Sequence, residues 1–191
     1  MTICVFGAAS NRIEKIYIET TEALGQLMAK RGHALVFGGG SGGVMGAVAR
    51  GMTAGGGKII GVAPEFFVDG VLYKQCTEFH SPKTMRQRKQ IMDDHADAFI
   101  VAPGGVGTFE EFFEIFTLRQ LAQTARPLVL LNINGYYDNM LKFLNECVQN
   151  GFISAISMTL FYVAKTPEDA LDYVENYVAD KGSAEEYRNL G

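Results

Sequence analysis

The sequence predicts an α/β fold, in which a doubly wound parallel sheet is flanked by helices within a single domain. Its 191 residues are enough for one hydrophobic core and few enough for one domain. Short apolar runs alternate with segments of helical period along the chain. Each apolar run is continuous instead of alternating with polar residues, which is typical of strands covered on both faces and therefore of a parallel sheet.

Six strands and six helices are predicted, in strict alternation. The strands are expected at residues 2–6, 34–37, 58–62, 98–101, 127–131 and 161–164. The helices are expected at residues 13–30, 43–54, 82–94, 109–123, 137–149 and 167–178. We expect one domain over residues 1–180, followed by a loose polar C-terminal tail over residues 181–191.

Composition and charge narrow the partners that we expect. The formal net charge is −4, so a general electrostatic attraction to a nucleic acid polymer or an anionic membrane is not expected. No apolar stretch has the length of a membrane span, and the N-terminal residues lack the basic region of a signal peptide. The three cysteines are far apart and the three histidines show no ligand spacing, so we predict reduced thiols, a cytoplasmic location and no metal or other cofactor.

Three loops at the ends of predicted strands are the candidate binding positions. Parallel sheets bind ligands at the carboxyl ends of their strands, where loops lead into the N-termini of helices. The first strand is followed by residues 7–11, the second by the glycine-rich residues 38–46, and the fourth by residues 103–111, which read P-G-G-V-G-T-F-E-E. These three loops are therefore where we expect a functional site.

The loop after the second strand contains a G-x-G-x-x-G match at Gly38, Gly40 and Gly43, which suggests a dinucleotide fingerprint. Two observations argue against NAD. No acidic residue lies between Glu22 and Glu65 to bind a ribose hydroxyl, and the fingerprint normally follows the first strand. A G-x-x-x-x-G-K-[ST] sequence, which would indicate a P-loop nucleotidase, is also missing from the sequence. The glycines either allow a tight turn and close helix packing or contact a ligand directly.

The loop after the fourth strand is the more specific of the two. Gly104, Gly105 and Gly107 are expected to adopt backbone angles closed to other residues, so that main-chain amides converge on one small anion. Thr108 would cap the helix that follows. The positive end of that helix and its free amides would form a phosphate site without a lysine.

Glu111 has two interpretations. The residues T-F-E-E fit a capping box, in which Glu111 would bond back to the backbone amide of Thr108. Alternatively, Glu110 and Glu111 are functional acids beside a phosphate, and such a pair repels an anion unless positive charge lies near. A ribosyl ring acquires positive charge when its glycosidic bond breaks, so the second interpretation points to cleavage of that bond.

Positive charge is concentrated on the helix before the fourth strand, at Arg86, Arg88 and Lys89. Met85, Arg88 and Met92 share one helical face, which places an arginine in an apolar stripe. Arg88 is therefore either a buried side chain directed at an anionic or aromatic ligand, or an exposed one whose stem covers apolar surface. We favour the first, because a guanidinium pairs with phosphate and stacks on purine faces.

These motifs together resemble the Lonely Guy (LOG) family, the cytokinin riboside 5′-monophosphate phosphoribohydrolases formerly described as lysine decarboxylases. The nine residues P-G-G-V-G-T-F-E-E are similar to the family's PGGxGTxxE motif, and M-R-Q-R-K is similar to its M-x-x-R-K helix. The loop after the second strand resembles GGGxxGxMG, while N-I-N-G-Y-Y-D and G-F-I resemble two further segments of the family. The resemblance covers most of the chain.

The resemblance implies a Rossmann-like homodimer that hydrolyses the N-glycosidic bond of adenosine-type 5′-monophosphates, releasing base and ribose 5-phosphate without a cofactor. It implies catalytic roles for Arg88 and Glu111. It also implies substrate contacts, including a phosphate site at residues 105–108, for Met85, Lys89, Gly104, Gly105, Val106, Gly107, Thr108, Glu110 and Thr117. The chain departs from the family pattern at Arg86, Gln87 and Val106.

Two alternatives stand beside hydrolysis. A non-catalytic nucleotide-binding or carrier module on the same frame would use the same loops, but it gains little from Glu110 and Glu111 beside a phosphate. Pyridoxal-phosphate-dependent decarboxylation is not favoured, because Lys89, the only lysine near the expected site, follows Arg88 on a cationic helix. The motif helix is apolar on nearly every side, which fits a dimer interface or a core helix, and Thr117 on it is either a substrate contact or a packing residue.

Overall fold

The computed structural model describes residues 1–67 and 69–179, so the predicted tail at residues 181–191 lies outside the described residues. Within these ranges seven strands form one sheet: β1 (Thr2–Phe6), β2 (Ala34–Phe37), β3 (Ile59–Val62), β4 (Glu78–His80), β5 (Ala98–Val101), β6 (Leu128–Leu131) and β7 (Tyr162–Ala164). Six α-helices accompany them in the same ranges: α1 (Lys15–Lys30), α2 (Gly43–Ala54), α3 (Met85–His95), α4 (Val106–Gln120), α5 (Asp138–Gln149) and α6 (Pro167–Asn176). None of these helices is both long and apolar enough to cross a lipid bilayer.

All neighbouring strands are parallel, and the sheet order is β4-β3-β2-β1-β5-β6-β7. The predicted doubly wound α/β fold is therefore confirmed, in its Rossmann-like form. The strand order reverses between β1 and β5, because the chain first builds outwards from β1 through β4 and then resumes on the other side of β1. Sheets of this kind bind ligands at that switch point, beyond the carboxyl ends of the strands.

The central strand β1 shows why its apolar run is continuous. Ile3 and Val5 lie in the hydrophobic cluster that α1, α2 and α6 cover, whereas Cys4 and Phe6 lie in the cluster that α3, α4 and α5 cover. Successive side chains of a strand point to opposite faces of the sheet, so a strand covered on both faces needs an apolar residue at every position.

The strand β4 is the one that the sequence pattern did not reveal. It is an edge strand of three residues, E-F-H, and it pairs with β3 alone, in a register that places His80 opposite Val62. Its three residues are half-buried or exposed. Because only one edge of the strand is paired and neither face is fully covered, it needs no continuous apolar run.

Two helices begin three residues away from their predicted starts. The first turn of α3 begins at Met85, later than predicted, because the side chain of Thr84 accepts a hydrogen bond from a backbone amide of that turn and caps it. The helix α4 begins at Val106, earlier than predicted, with Gly105 as its N-cap residue. The prediction that Thr108 caps this helix is therefore wrong, since Thr108 lies inside the first turn.

Candidate functional site

A cavity of about 740 Å³ opens at the carboxyl ends of β1, β2 and β5, at the switch point of the sheet. All three loops that the sequence singled out contribute to its wall. The lining includes residues 7–11 of the first loop, Gly38, Gly40, Ser41 and Gly42 of the second, Arg88 of α3, and Gly105, Gly107, Thr108 and Glu111 around the start of α4. The volume is that of an ordinary small-molecule site.

The glycines of the loop after β2 allow a tight turn and close packing, which is one of the two roles that the sequence left open. Gly39 and Gly43 have φ angles of 73° and 57°, in the left-handed region that favours glycine. A Cβ atom on Gly46 would lie 1.8 Å from the carbonyl oxygen of Ser41, so this glycine allows close packing of the turn. The same loop also lines the cavity, so the tight turn places its backbone beside any ligand.

The two helix N-termini at the cavity differ in what their first amides contact. At the start of α2, the amide of Gly43 donates to Oδ1 of Asn11 at 2.7 Å, and the amide of Met45 donates to the carbonyl of Ala8 at 3.1 Å. At the start of α4, none of the described side chains caps the helix. The amides of its first turn, beginning at Val106, are therefore the ones left to bind an anion.

The glycines at the start of α4 act differently from the prediction. Gly104, Gly105 and Gly107 all lie outside the left-handed region, so the expectation of backbone angles closed to other residues is wrong. A Cβ atom on Gly105 or Gly107 would meet no described atom within 4 Å, whereas one on Gly104 would lie 2.1 Å from Oγ1 of Thr108. Gly104 therefore allows close packing, and the other two leave the start of the helix open to the cavity.

The capping-box interpretation of Glu111 is also wrong. Since α4 begins at Val106, Glu111 lies in the second turn, where it is 8% exposed. Its carboxylate accepts a hydrogen bond from the guanidinium of Arg88 rather than from a backbone amide. Glu111 thus directs its charge into the site instead of completing the end of the helix.

Two tyrosine side chains hold the chain that leads from β5 into α4. The hydroxyl of Tyr136 donates to the carbonyl of Gly104 at 2.6 Å, and that of Tyr137 donates to the carbonyl of Ala102 at 2.8 Å. The amide of Tyr137 donates in turn to Oδ1 of the buried Asn132. From the sequence, N-I-N-G-Y-Y-D was recognised only as part of a resemblance. The signal for its role is a pair of tyrosines just beyond a buried strand.

Arg88 is buried, is fixed by two hydrogen bonds and packs closely against Gly38. It is 7% exposed, so the interpretation as a buried arginine is confirmed. Its Nε atom donates to the carbonyl of Val62 at 3.1 Å, and its Nη1 atom donates to Oε1 of Glu111 at 3.2 Å. A Cβ atom on Gly38 would lie 2.0 Å from Nη2, so the second glycine loop makes room for the guanidinium. This role of Gly38 could not be predicted from the sequence, because it depends on where Arg88 lies in the folded chain.

The carboxyl of Glu111 titrates near neutral pH. Burial raises its pKa from the ordinary value of 4.5 to about 7, although the charge of Arg88 and the hydrogen bond from it act in the opposite direction. The neighbouring charge of Glu110 raises the pKa further. A carboxyl with this pKa can both carry a negative charge and exchange a proton at physiological pH, which is the property required of an acid–base group.

Lys89 points away from the larger cavity. Its ammonium pairs with Glu110 and, at 2.9 Å, with Glu114. It lines a smaller cavity of about 290 Å³ together with Arg86 and Glu111. Burial lowers the pKa of Lys89, but the hydrogen bonds to the two glutamates outweigh that effect and raise it above the ordinary value. A lysine held in its charged form is a poor nucleophile for a Schiff base.

Five of the expected substrate contacts do not line either of these cavities: Met85, Gly104, Val106, Glu110 and Thr117. Met85 is 42% exposed and Val106 is 84% exposed. The hydroxyl of Thr117 donates to the carbonyl of Phe113, one turn back on the surface of α4, at 2.7 Å. Within the described part of one chain, Met85, Val106 and Thr117 are therefore not part of the wall of either cavity.

The chain is similar to known proteins in sequence and in fold. Residues 45–174 match the family model described as "Possible lysine decarboxylase". The chain is 40% identical over 181 residues to a probable cytokinin riboside 5′-monophosphate phosphoribohydrolase of Oryza sativa subsp. japonica, covering 92% of this chain and 72% of that protein. It is 37% identical over 176 residues to a cytokinin riboside 5′-monophosphate phosphoribohydrolase of Arabidopsis thaliana, covering 92% and 82%.

Among solved structures, the fold is similar to that of the molybdenum cofactor binding protein of the phototrophic bacterium Rippkaea orientalis. The TM-score is 0.72 over 91% of this chain and 94% of that chain, with 21% sequence identity. At this level of identity the likeness concerns the fold alone.

Proposed function

The chain belongs to the Lonely Guy (LOG) family, and on that premise we propose that it hydrolyses the N-glycosidic bond of adenosine-type 5′-monophosphates, cytokinin riboside monophosphates among them. The products are the free base and ribose 5-phosphate. The observation that carries the proposal is the buried pair of Arg88 and Glu111, which lines a cavity beside an uncapped helix start.

The start of α4 is the proposed site of the 5′-phosphate. The described side chains leave its first turn uncapped, and that turn contains no acidic residue. The partial positive charge of a helix N-terminus and its unpaired amides bind a phosphate without help from a lysine. Gly105 and Gly107 support this role, because both line the cavity and a Cβ atom at either position would meet no described atom within 4 Å, so the start of the helix is open to a ligand.

Glu111 is the proposed partner of the ribose. As the bond between C1′ and the base nitrogen breaks, positive charge develops on the ribosyl ring, and an ionised carboxylate in a buried site stabilises that charge. The oxygen of a water molecule then bonds to C1′, and Glu111, with its pKa of about 7, is suited to take up the proton which that water releases. The departing base carries away the electron pair of the broken bond and takes up a proton from solvent, while Glu111 returns its own proton to solvent. The net change is the addition of one water molecule.

Arg88 is the proposed partner of the base and of Glu111. Its guanidinium is fixed by the carbonyl of Val62, which leaves its remaining donors for Glu111 and for a leaving group. A planar guanidinium both stacks on a purine and donates to a developing negative charge on it. Holding base, ribose and water in one orientation supplies part of the rate enhancement by itself.

The proposal includes a homodimer in the cytoplasm. Met85, Val106 and Phe113 present exposed apolar surface on α3 and α4, next to the site, and Met85 and Val106 are among the expected substrate contacts that one chain leaves outside the cavities. A second copy placed there would cover this surface. The structure describes all three cysteines as free thiols, which fits a reducing compartment.

The deciding experiment is incubation with a panel of nucleoside 5′-monophosphates and the corresponding nucleosides, with chromatography of the released base. We expect release from monophosphates and not from nucleosides, because the start of α4 recognises the phosphate. Glu111→Gln should lower the release by about 100-fold or more while nucleotide binding persists. Glu146→Gln, which changes an exposed glutamate on α5, is the matched control.

Two results would contradict the proposal. Equal turnover by the wild type and Glu111→Gln would remove Glu111 from the mechanism. Tight binding of monophosphates with no base released from any of them would instead support the carrier function that the sequence left open.

A further inference from the structure

Three ionisable side chains meet at the edge of the sheet, away from the cavity described above. The ligand atoms of Glu78, His80 and His95 all lie within 4.8 Å of one another. From the sequence we expected no metal ligands among the histidines, because their spacing follows no known pattern. The cluster forms only when the chain brings β4 and the end of α3 together.

The fold explains why these side chains converge. Glu78 and His80 are alternate residues of β4, so their side chains point to the same face of the sheet. His95 is the last residue of α3, which covers that face. Both supporting elements are regular, so the three side chains are positioned by backbone hydrogen bonds and not by a long loop.

The atoms are close to the distances that a metal ion requires. Nε2 of His80 lies 2.8 Å and Nε2 of His95 lies 3.8 Å from Oε1 of Glu78. Ligand atoms around a tetrahedral zinc ion, with bonds of about 2.0–2.1 Å, are about 3.3 Å apart. Small side-chain rotations would equalise the distances.

The orientation of His95 supports coordination independently. Its Nδ1 atom lies 2.8 Å from the carbonyl oxygen of Ile91, one turn back on α3. A carbonyl only accepts, so Nδ1 carries the proton of the neutral ring and Nε2 presents its lone pair to the cluster. Metal-binding histidines are commonly held in this way, by a carbonyl at the other ring nitrogen.

Lys58 completes the arrangement without blocking it. Its ammonium lies 3.0 Å from Oε2 of Glu78, on the oxygen that the histidines do not contact. Glu78 can therefore bind an ion through Oε1 while Lys58 orients the carboxylate through Oε2. The side chains of the three ligands are 31–38% exposed, so an ion and a water molecule can reach the cluster from solvent.

We propose that Glu78, His80 and His95 form a binding site for a divalent cation of the zinc class. Two imidazole nitrogens and one carboxylate oxygen suit zinc, cobalt or nickel, whereas magnesium and calcium prefer oxygen ligands alone. Water supplies the fourth ligand. The site lies outside the proposed nucleotide pocket, and neither proposal depends on the other.

The ion joins the edge strand to the helix that carries Arg88. His80 is opposite Val62 in the sheet, and the carbonyl of Val62 accepts the hydrogen bond from Arg88. An ion bound by His80 and His95 therefore connects β4, which pairs with β3 at Val62, to α3, which carries Arg88. We expect the ion to stabilise the fold at this edge.

The test is calorimetric titration of the untagged protein with zinc chloride, repeated with magnesium chloride. We expect one zinc ion per chain, no magnesium binding at the same concentration, and a rise in melting temperature with zinc. His80→Gln and His95→Gln should each weaken zinc binding by about tenfold or more. The visible spectrum with cobalt should show the intense bands of a four-coordinate ion, and both variants should lose them.

His33→Gln is the matched control, because Nε2 of His33 also contacts a glutamate, Glu175, at 2.7 Å but has no second histidine beside it. This variant should bind zinc as the wild type does. Unchanged zinc affinity in His80→Gln and His95→Gln would overturn the proposal. Since His80 and His95 belong to different elements, failure of one variant to fold leaves the decision to the other.

Discussion

Nη1 of Arg88 lies 3.2 Å from Oε1 of Glu111, and the two residues are only 7% and 8% exposed. They come from successive helices, α3 and α4, and are 23 positions apart in the chain. Burying a charge without a partner costs free energy of folding, and the opposite charge of each group lowers that cost for the other. The pair thus links the stability of the fold to the chemistry of the site.

Removal of the guanidinium should destabilise the protein. We expect Arg88→Gln to lower the free energy of unfolding by about 3 kcal/mol, near the lower end for a broken buried pair, because Glu111 can respond by taking up a proton. Urea denaturation at pH 7 measures the change. Arg86→Gln alters an exposed arginine on the same helix and should change the free energy by about 0.5 kcal/mol or less. Equal losses in the two variants would contradict the role of the pair.

Base release should increase with pH in the neutral range. Burial raises the pKa of Glu111 to about 7, and the proposed mechanism uses the ionised form. We therefore expect kcat/KM for a nucleoside 5′-monophosphate to rise with a midpoint near that pH, and Glu111→Gln to be low and flat in this range. A wild-type profile that falls as pH rises through 7 would mean that Glu111 acts as an acid instead.

The stability of the fold should decrease over the same pH range. The pKa of Glu111 is about 7 in the folded protein, above the ordinary value of 4.5. Between these two pH values the folded state therefore holds the proton more tightly than the unfolded chain does. The corresponding stabilisation is complete below about pH 4.5 and is lost as pH rises through about 7, up to a limit of about 3 kcal/mol.

Urea denaturation of the wild type and Glu111→Gln at several pH values between 5 and 8 tests this effect. Other groups titrate alike in both proteins and cancel in the difference. The wild type should lose stability relative to the variant as pH rises. Parallel curves would show that Glu111 titrates in the folded protein as it does in water.

Two glycines of the motif should respond in opposite ways to alanine. Gly107→Ala should raise the free energy of unfolding by about 0.5–1 kcal/mol, because Gly107 has helical backbone angles and a Cβ atom there meets no described neighbour. It should nevertheless weaken binding of nucleoside 5′-monophosphates by about tenfold, since the methyl group occupies the space in front of the helix amides.

Gly104→Ala is the companion variant. Its Cβ atom would lie 2.1 Å from Oγ1 of Thr108, so it should lower the stability by about 1–3 kcal/mol. Denaturation and nucleotide titration of both variants separate packing from binding. Gly107→Ala with unchanged nucleotide affinity would place the phosphate elsewhere.

Much of the fold could be predicted because a strand that is buried on both faces has an apolar residue at every position. The continuous apolar runs of β1, β2, β3, β5 and β6 indicated a covered parallel sheet, and a parallel sheet places its loops at one edge. The position of Arg88 in an apolar stripe indicated its burial in the same way. By contrast, the three residues of β4 do not form an apolar run, since an edge strand is only partly covered.

The sequence by itself determined the alternation of strands and helices, the sheet type, and the three loops that surround the cavity, because these follow from local periodicity and from which residues avoid water. Only the tertiary structure decided where α4 begins, that Glu111 faces Arg88, and that Glu78 and His80 meet His95. Such contacts join positions far apart in the chain, and their distances depend on sheet register and helix packing. No pattern of neighbouring residues carries that information.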